Sequence, residues 1–344
     1  VTQTPERAAA IRRGVFVALL QVVALVAALA VMWWLRNLVL LLFAAILLAI
    51  LLFGGARPLG RVLRIGERAG VIVVAALALL ALTAFSALLG NRVLTEIASL
   101  REQLPGAVET FGTWLGMADL ETWIAERVQS QMDEMSLIGG ISGATMWMVN
   151  GLIGVLLVVG GGLFIALSPG TYVRGALAIV PPGPRPRVKD LMRELGRALK
   201  YWLVGQLVAM VCVGVLTAIG LVLLGIPTPY ALAFLAGLLE FVPYVGPVAS
   251  AVPAVAVAFA ESPVAAVWVT LLYFGIQQLE SIFLIPLIQR KTVNLPPAAT
   301  VFSVIAFGIV LGPMGVVLGA PLTVVAITLL RELWSDPGGK SDTG

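Results

Sequence analysis

The chain has 344 residues, 60% hydrophobic and 12% charged, with a net charge of +4 and a mean hydropathy of +1.03. Soluble domains carry roughly 25% charged residues, so an ordinary globular protein is excluded. One cysteine, Cys212, and no histidine exclude an intrachain disulfide and the usual zinc, haem and iron–sulfur ligand sets, so no cofactor is expected.

The charges leave eight uncharged runs, at 14–35, 37–56, 69–91, 135–173, 201–239, 241–260, 262–279 and 292–330. Each matches or exceeds the roughly 17–25 residues of a spanning helix. The runs are apolar nearly all round and rich in Leu and Ala, not alternating, which favours helices over a lipid-facing barrel. The expected fold is all-α: a polytopic membrane protein with about eight membrane-embedded segments, including broken or re-entrant hairpins in the C-terminal half. Membrane lipids are its first expected partner.

Residues 1–90 are expected to hold three transmembrane helices. The run from Gly14 to Leu35 has no obvious small-residue cleavage site and leads straight into the next, so it reads as a retained helix. Arg7, Arg12 and Arg13 precede it, and Arg57, Arg61, Arg64 and Arg68 lie between the second and third spans. Residues 91–142 read as an amphipathic helical domain outside the membrane. Between 91 and 134 there are eight acidic residues against Arg92, Arg101 and Arg127, while Leu104, Val108, Phe111 and Leu115 recur at helical spacing, as do Leu120, Ile124 and Val128. Such helices suit a membrane surface or a second subunit, or form a simple cap.

A fourth span is expected in 143–172, with Gly160, Gly161 and Gly162 permitting close helix contact. Residues 173–200 form a basic linker: prolines, then an amphipathic helix with Leu191, Leu195 and Leu199 on one stripe. The positive-inside rule places these basic groups, the N-terminus and the tail at 334–344 in the cytoplasm. The basic residues thus follow one side of the membrane, and no nucleic-acid partner is expected.

In 201–333 the apolar runs are interrupted, first at GIPTPYALAFLAGLLEFVPYVGPVAS and again at FGIVLGPMGVVLGAP. Broken helices are tolerated in a bilayer where they are buried or line a cavity, and paired breaks commonly mark a transporter's substrate site. Pro243, Gly246 and Pro247 shape the first break; Gly308, Gly312 and Gly315, with Pro313, shape the second. Charge parity favours hairpins, although pairs of short spans would give nine or ten crossings by simple counting.

Two carboxylates stand out. Glu240 lies between two long uncharged runs, and a charge at membrane depth normally faces a bundle interior or a watery cavity. Alternatively the turn lies at the surface and Glu240 is merely solvated. Glu280 follows Gln277 by three residues, so the two share a helix face, as ligands or as helix–helix contacts. Arg290 and Lys291 anchor the inner end of that helix or belong to the site. No phosphate-cradling loop is present, and the aspartates lie outside the spans, so no enzymatic activity is expected.

The segments LLEFVPYVGP, QQLESIFLIPLIQRKTVNLPP and FGIVLGPMGVVLGAPL resemble the autoinducer-2 exporter family of bacterial membrane proteins, also called the PerM-like permeases. The motifs are specific over roughly 201–333 and architectural over 10–200. Glu240 with Pro243, Gly246 and Pro247, then Gln277, Glu280 and Pro286, then Gly308, Gly312 and Gly315 match the family pattern. The chain departs from it at Arg290 and at Pro296-Pro297. The resemblance implies a homo-oligomeric permease of the bacterial inner membrane that exports a small polar solute such as autoinducer-2, coupled to Na+ or H+. A Na+/H+ antiporter without organic substrate and a membrane scaffold are the alternatives.

Overall fold

The computed structural model describes residues 33–114, 140–284 and 297–334, together with Leu19, Gln21 and Val23. All described elements are helical. Helix α1 (Arg36–Leu63) opens beside Trp33, whose ring is 4.7 Å from the Arg36 guanidinium, as suits the edge of a bilayer. It ends at Arg64 in the left-handed conformation (φ 55°), and a backbone bond from Arg64 to the Gly60 carbonyl closes the last turn.

The chain returns as α2 (Glu67–Phe85), passes through a π-helical turn (Ser86–Gly90) and continues as α3 (Asn91–Trp114). Almost none of the apolar face of α2 is buried within the chain; Leu79, Leu80 and Leu82 point outward. Helix α4 (Gly140–Leu167) packs against α1. A Cβ at Gly162 would lie 3.0 Å from the Ala45 carbonyl oxygen and one at Gly161 would touch the Ala45 Cβ, so both permit the close approach, whereas Gly160 faces open space.

At Ser168 the chain bends by 93° into α5 (Pro169–Ile179). The basic linker then begins α6 (Arg185–Leu223), a continuous 39-residue helix that carries its charged first half into its apolar second half without a break. Four shorter helices follow: α7 (Pro229–Leu239), α8 (Val245–Glu261), α9 (Pro263–Leu279) and α10 (Pro297–Leu311). A longer helix, α11 (Pro313–Trp334), completes the described chain. Helices α7, α8 and α9 pack in succession against one another and, through α7 and α9, on α6. α10 and α11 pair closely, and α11 lies on both α6 and α1.

The expectation of about eight membrane-embedded segments is corrected here. Among the described residues, four helices are long and apolar enough to cross a membrane, or five if the bent α4–α5 pair is one span. An uncharged run does not register where its backbone breaks. The run 201–239 divides at Gly225 and Thr228, both at positive φ, and 292–330 divides at Gly312. The pieces α7, α8 and α10 have 11, 17 and 15 residues. At 1.5 Å per residue they reach about 16–26 Å, short of a core about 30 Å thick. The first run, 14–35, and residues 115–139, which include Leu115, Leu120, Ile124 and Val128, lie wholly or mostly outside the described residues.

Candidate functional site

The break between α7 and α8 follows from three residues. Pro243 has no N–H to continue a helix and disfavours helical backbone at Val242. Tyr244 adopts φ 66°, a strained conformation for a bulky residue. Gly246 then passes so close to the end of α7 that any Cβ would run into the Leu239 carbonyl. Pro247 falls in the first turn of α8, where no N–H is needed, and its carbonyl accepts from Ser250 Oγ at 3.1 Å.

Glu240 caps the C-terminal end of α7 and is only 1% exposed. Its backbone carbonyl accepts a hydrogen bond from the side-chain amide of Gln206 on α6. Its Oε2 atom is buried with no donor among the described residues. The Glu280 carboxyl comes from α9 to within hydrogen-bonding reach of the Glu240 carboxyl. Gln277 donates to Glu280 Oε2 at 2.7 Å, and Ser281 Oγ donates to the Gln277 carbonyl at 2.9 Å.

At Glu280 the helix changes from α to π (Glu280–Leu284), a local widening often found where a helix serves a site. The structure therefore brings Glu240, Gln277 and Glu280 together. Among the described residues neither carboxylate has a Lys or Arg partner. Two facing carboxylates offer no donor to each other, so a shared proton or a cation between them would relieve their repulsion. Chemically the arrangement presents carboxylate acceptor oxygens, with the amide of Gln206 on the Glu240 carbonyl and that of Gln277 on Glu280 Oε2.

The second break is built differently. Gly312 takes φ 71°, its N–H bonds to the Gly308 carbonyl at 2.9 Å, and Pro313 opens α11. Gly315 lies against the Phe307 carbonyl, where a Cβ has no room, and a Cβ at Gly308 would sit 2.7 Å from Val316 Cγ2. Farther along, the Ser303 and Thr323 hydroxyls bond to each other, and Thr323 donates to the Gly319 carbonyl at 2.7 Å.

The two breaks lean on the same part of α6. Phe241, beside Glu240, and Leu311, beside Gly312, both pack against the core cluster that contains Trp202, Leu203 and Leu318. Phe241 meets Trp202 edge-on at 5.9 Å between centroids. Arg290 and Lys291 lie outside the described residues.

Two contributors escaped the sequence reading. Gln206 is a lone amide in an apolar run, a signal that could have been noticed; it is 8% exposed. Glu96, from α3, accepts a hydrogen bond from the Ala231 N–H at the start of α7. Beside it, Arg92 lies over the Tyr230 ring and Phe85 stacks on Phe234, so α2 and α3 brace the helix that ends in Glu240.

Residues 22–334 match the model of the AI-2E family transporters. Over 183 residues the chain is 30% identical to YueF of Bacillus subtilis, named "Putative transport protein YueF", covering 53% of this chain and 50% of that one. It is 29% identical over 147 residues to YrrI of the same organism, covering 43% of this chain and 42% of that one. With YhhT of Escherichia coli K12 the identity is 24%, covering 74% of this chain and 72% of the relative. The chain spans about half the length of the first two relatives, and the names of all three specify transport without a substrate.

Proposed function

Because this chain belongs to the AI-2E family of transporters, we propose that it is an ion-coupled secondary transporter that exports a small polar solute of the autoinducer-2 kind. It is a polytopic membrane protein, and the proposal places it in the bacterial inner membrane with both termini in the cytoplasm, as a homo-oligomer. The observation that carries the coupling is the pairing of the buried Glu240 with the half-buried Glu280, free of any Lys or Arg partner among the described residues. In this reading the pair takes up H+ or Na+ as the site changes its exposure, and Gln277 holds Glu280 in place. The breaks at Pro243–Pro247 and Gly308–Gly315 form the walls between which the solute binds. Arg290 and Lys291 anchor the adjoining segment or contribute to the site.

A second reading, Na+/H+ antiport without an organic substrate, uses the same residues. It is favoured by the burial of Glu240 beside the half-buried Glu280: a site made of carboxylate oxygens suits a bare cation.

The test is flux in sealed proteoliposomes under imposed Na+ and pH gradients, with wild type, Glu240→Gln and Glu280→Gln. Gradient-driven flux of solute, Na+ or H+ that is lost in both variants is the expected result. Wild-type flux in both variants would remove the carboxylates from the mechanism. A folded wild-type protein that moves neither ion nor signal would favour a membrane scaffold. Efflux of autoinducer-2 driven by either gradient separates the first reading from simple antiport.

A further inference from the structure

A cavity of about 250 Å³ opens where α1, α2, α4 and α5 meet, beside the arginine-rich turn between α1 and α2. One wall is apolar, built from Phe53, Ala166 and Leu167, and the rim carries Arg68 and Arg174. Glu67 also lines the cavity, but its carboxylate is paired with Arg57 at 3.6 Å, and Arg57 in turn stacks over Phe53 at 4.6 Å. Arg68 and Arg174 have no carboxylate partner among the described residues. The local balance is therefore two uncompensated positive charges facing one cavity.

Backbone adds to this field. Ser168, Pro169, Gly170 and Thr171 line the cavity as the first turn of α5, and Glu67 and Arg68 belong to the first turn of α2. The positive ends of two helix dipoles thus point to the same region as the two guanidinium groups. The 93° bend at Ser168 turns α5 across the direction of α4, and the cavity lies at this bend, where α4 ends and α2 begins. Guanidinium groups match phosphate oxygens in fork geometry, and an apolar wall beside them fits the glycerol and upper acyl chain of a lipid.

From this arrangement we infer that the cavity is a binding site for an anionic phospholipid, held through its phosphate by Arg68 and Arg174. Basic pockets between membrane helices are suited to this role. The inference does not depend on what the protein carries.

The experiment uses the full chain extracted in mild detergent and exchanged into bilayer discs that contain phosphatidylglycerol and phosphatidylcholine, with lipid retention read by native mass spectrometry. Wild type is expected to retain phosphatidylglycerol through a detergent wash. The double variant Arg68→Ala/Arg174→Ala is expected to lose it, with affinity weakened about tenfold or more per arginine. Arg61→Ala, on the same side but outside the cavity, is expected to retain it. Equal retention by wild type and the double variant would overturn the site. If inorganic phosphate binds in an Arg68- and Arg174-dependent way while phosphatidylglycerol does not, the ligand is a free anion and the lipid assignment falls. Should the double variant fold poorly, Arg68→Gln and Arg174→Gln are tested singly, and the same loss of selective retention is required of each.

Discussion

The carboxylate of Glu96 accepts a hydrogen bond from the backbone N–H of Ala231 at 2.8 Å, joining two residues 135 positions apart. Ala231 is the third residue of α7, whose own N-cap, Thr228, makes no side-chain cap bond and sits at φ 54°. A helix N-terminus exposes N–H groups that need acceptors, and a carboxylate there also meets the positive end of the dipole. α3 therefore supplies the cap that the local sequence of α7 lacks. It fixes the far end of the helix that delivers Glu240.

Glu96→Ala should consequently cost about 0.5–2 kcal/mol, the usual range for a lost cap. Thermal unfolding in detergent should fall by about 2 °C per kcal/mol, and Glu96→Gln, which keeps an acceptor oxygen, should lie between the two. An unchanged melting temperature in Glu96→Ala would show that the bond contributes nothing net.

Gly246→Ala should be far more damaging than its chemistry suggests. The added methyl would overlap the Leu239 carbonyl, a backbone atom that cannot move without unwinding the end of α7. Overpacking typically costs about 1–3 kcal/mol and more where backbone blocks relief. The expected result is a large loss of monodisperse protein by size-exclusion chromatography. Gly275→Ala serves as the control, because a Cβ there meets nothing within 4 Å.

The membrane-helical class was legible because it depends only on where charges are absent. Glu240 and Glu280 were legible for the same reason, as acids set in apolar runs. The number of long spans was not, since run length says nothing about backbone. Thr228 and Tyr244 adopt positive φ without being glycine, so no residue type advertised those turns. Nor could the partners be read. Gln206 reaches Glu240 across 34 residues and Glu96 reaches Ala231 across 135, and both contacts exist only once α3, α6 and α7 have packed.

If the paired carboxylates hold a cation, binding should stabilise the folded protein. A ligand at one hundred times its Kd adds about 2.7 kcal/mol. NaCl titration, against choline chloride at equal ionic strength, should therefore raise the melting temperature of wild type and leave that of Glu240→Gln/Glu280→Gln unmoved. A Na+-specific rise that persists in the double variant would place the cation elsewhere. No rise in either protein would favour H+ as the only coupled ion.

Thr217 presents the opposite case, a polar group whose removal should help. It is fully buried on α6, and its Oγ1 has no hydrogen-bond partner among the described residues. Tyr273 on α9 likewise buries a hydroxyl with no partner among the described residues; it packs against the clusters of Leu221 and Val213, the residues one turn to either side of Thr217. An unsatisfied buried hydroxyl costs about 1–3 kcal/mol, whereas an apolar group of the same shape carries no such penalty. Thr217→Val, which keeps the volume, should thus raise thermal stability by about 1 kcal/mol or more, and Tyr273→Phe should do the same. The two hydroxyls sit on α6 and α9, the helices that also carry Gln206 and Gln277, so the flux assay gives the second half of the test. Variants that are more stable and transport normally would mark the hydroxyls as incidental to transport. Stabilised variants with impaired ion flux would show that their unmet hydrogen bonds are held open for a transported species, at the expense of stability.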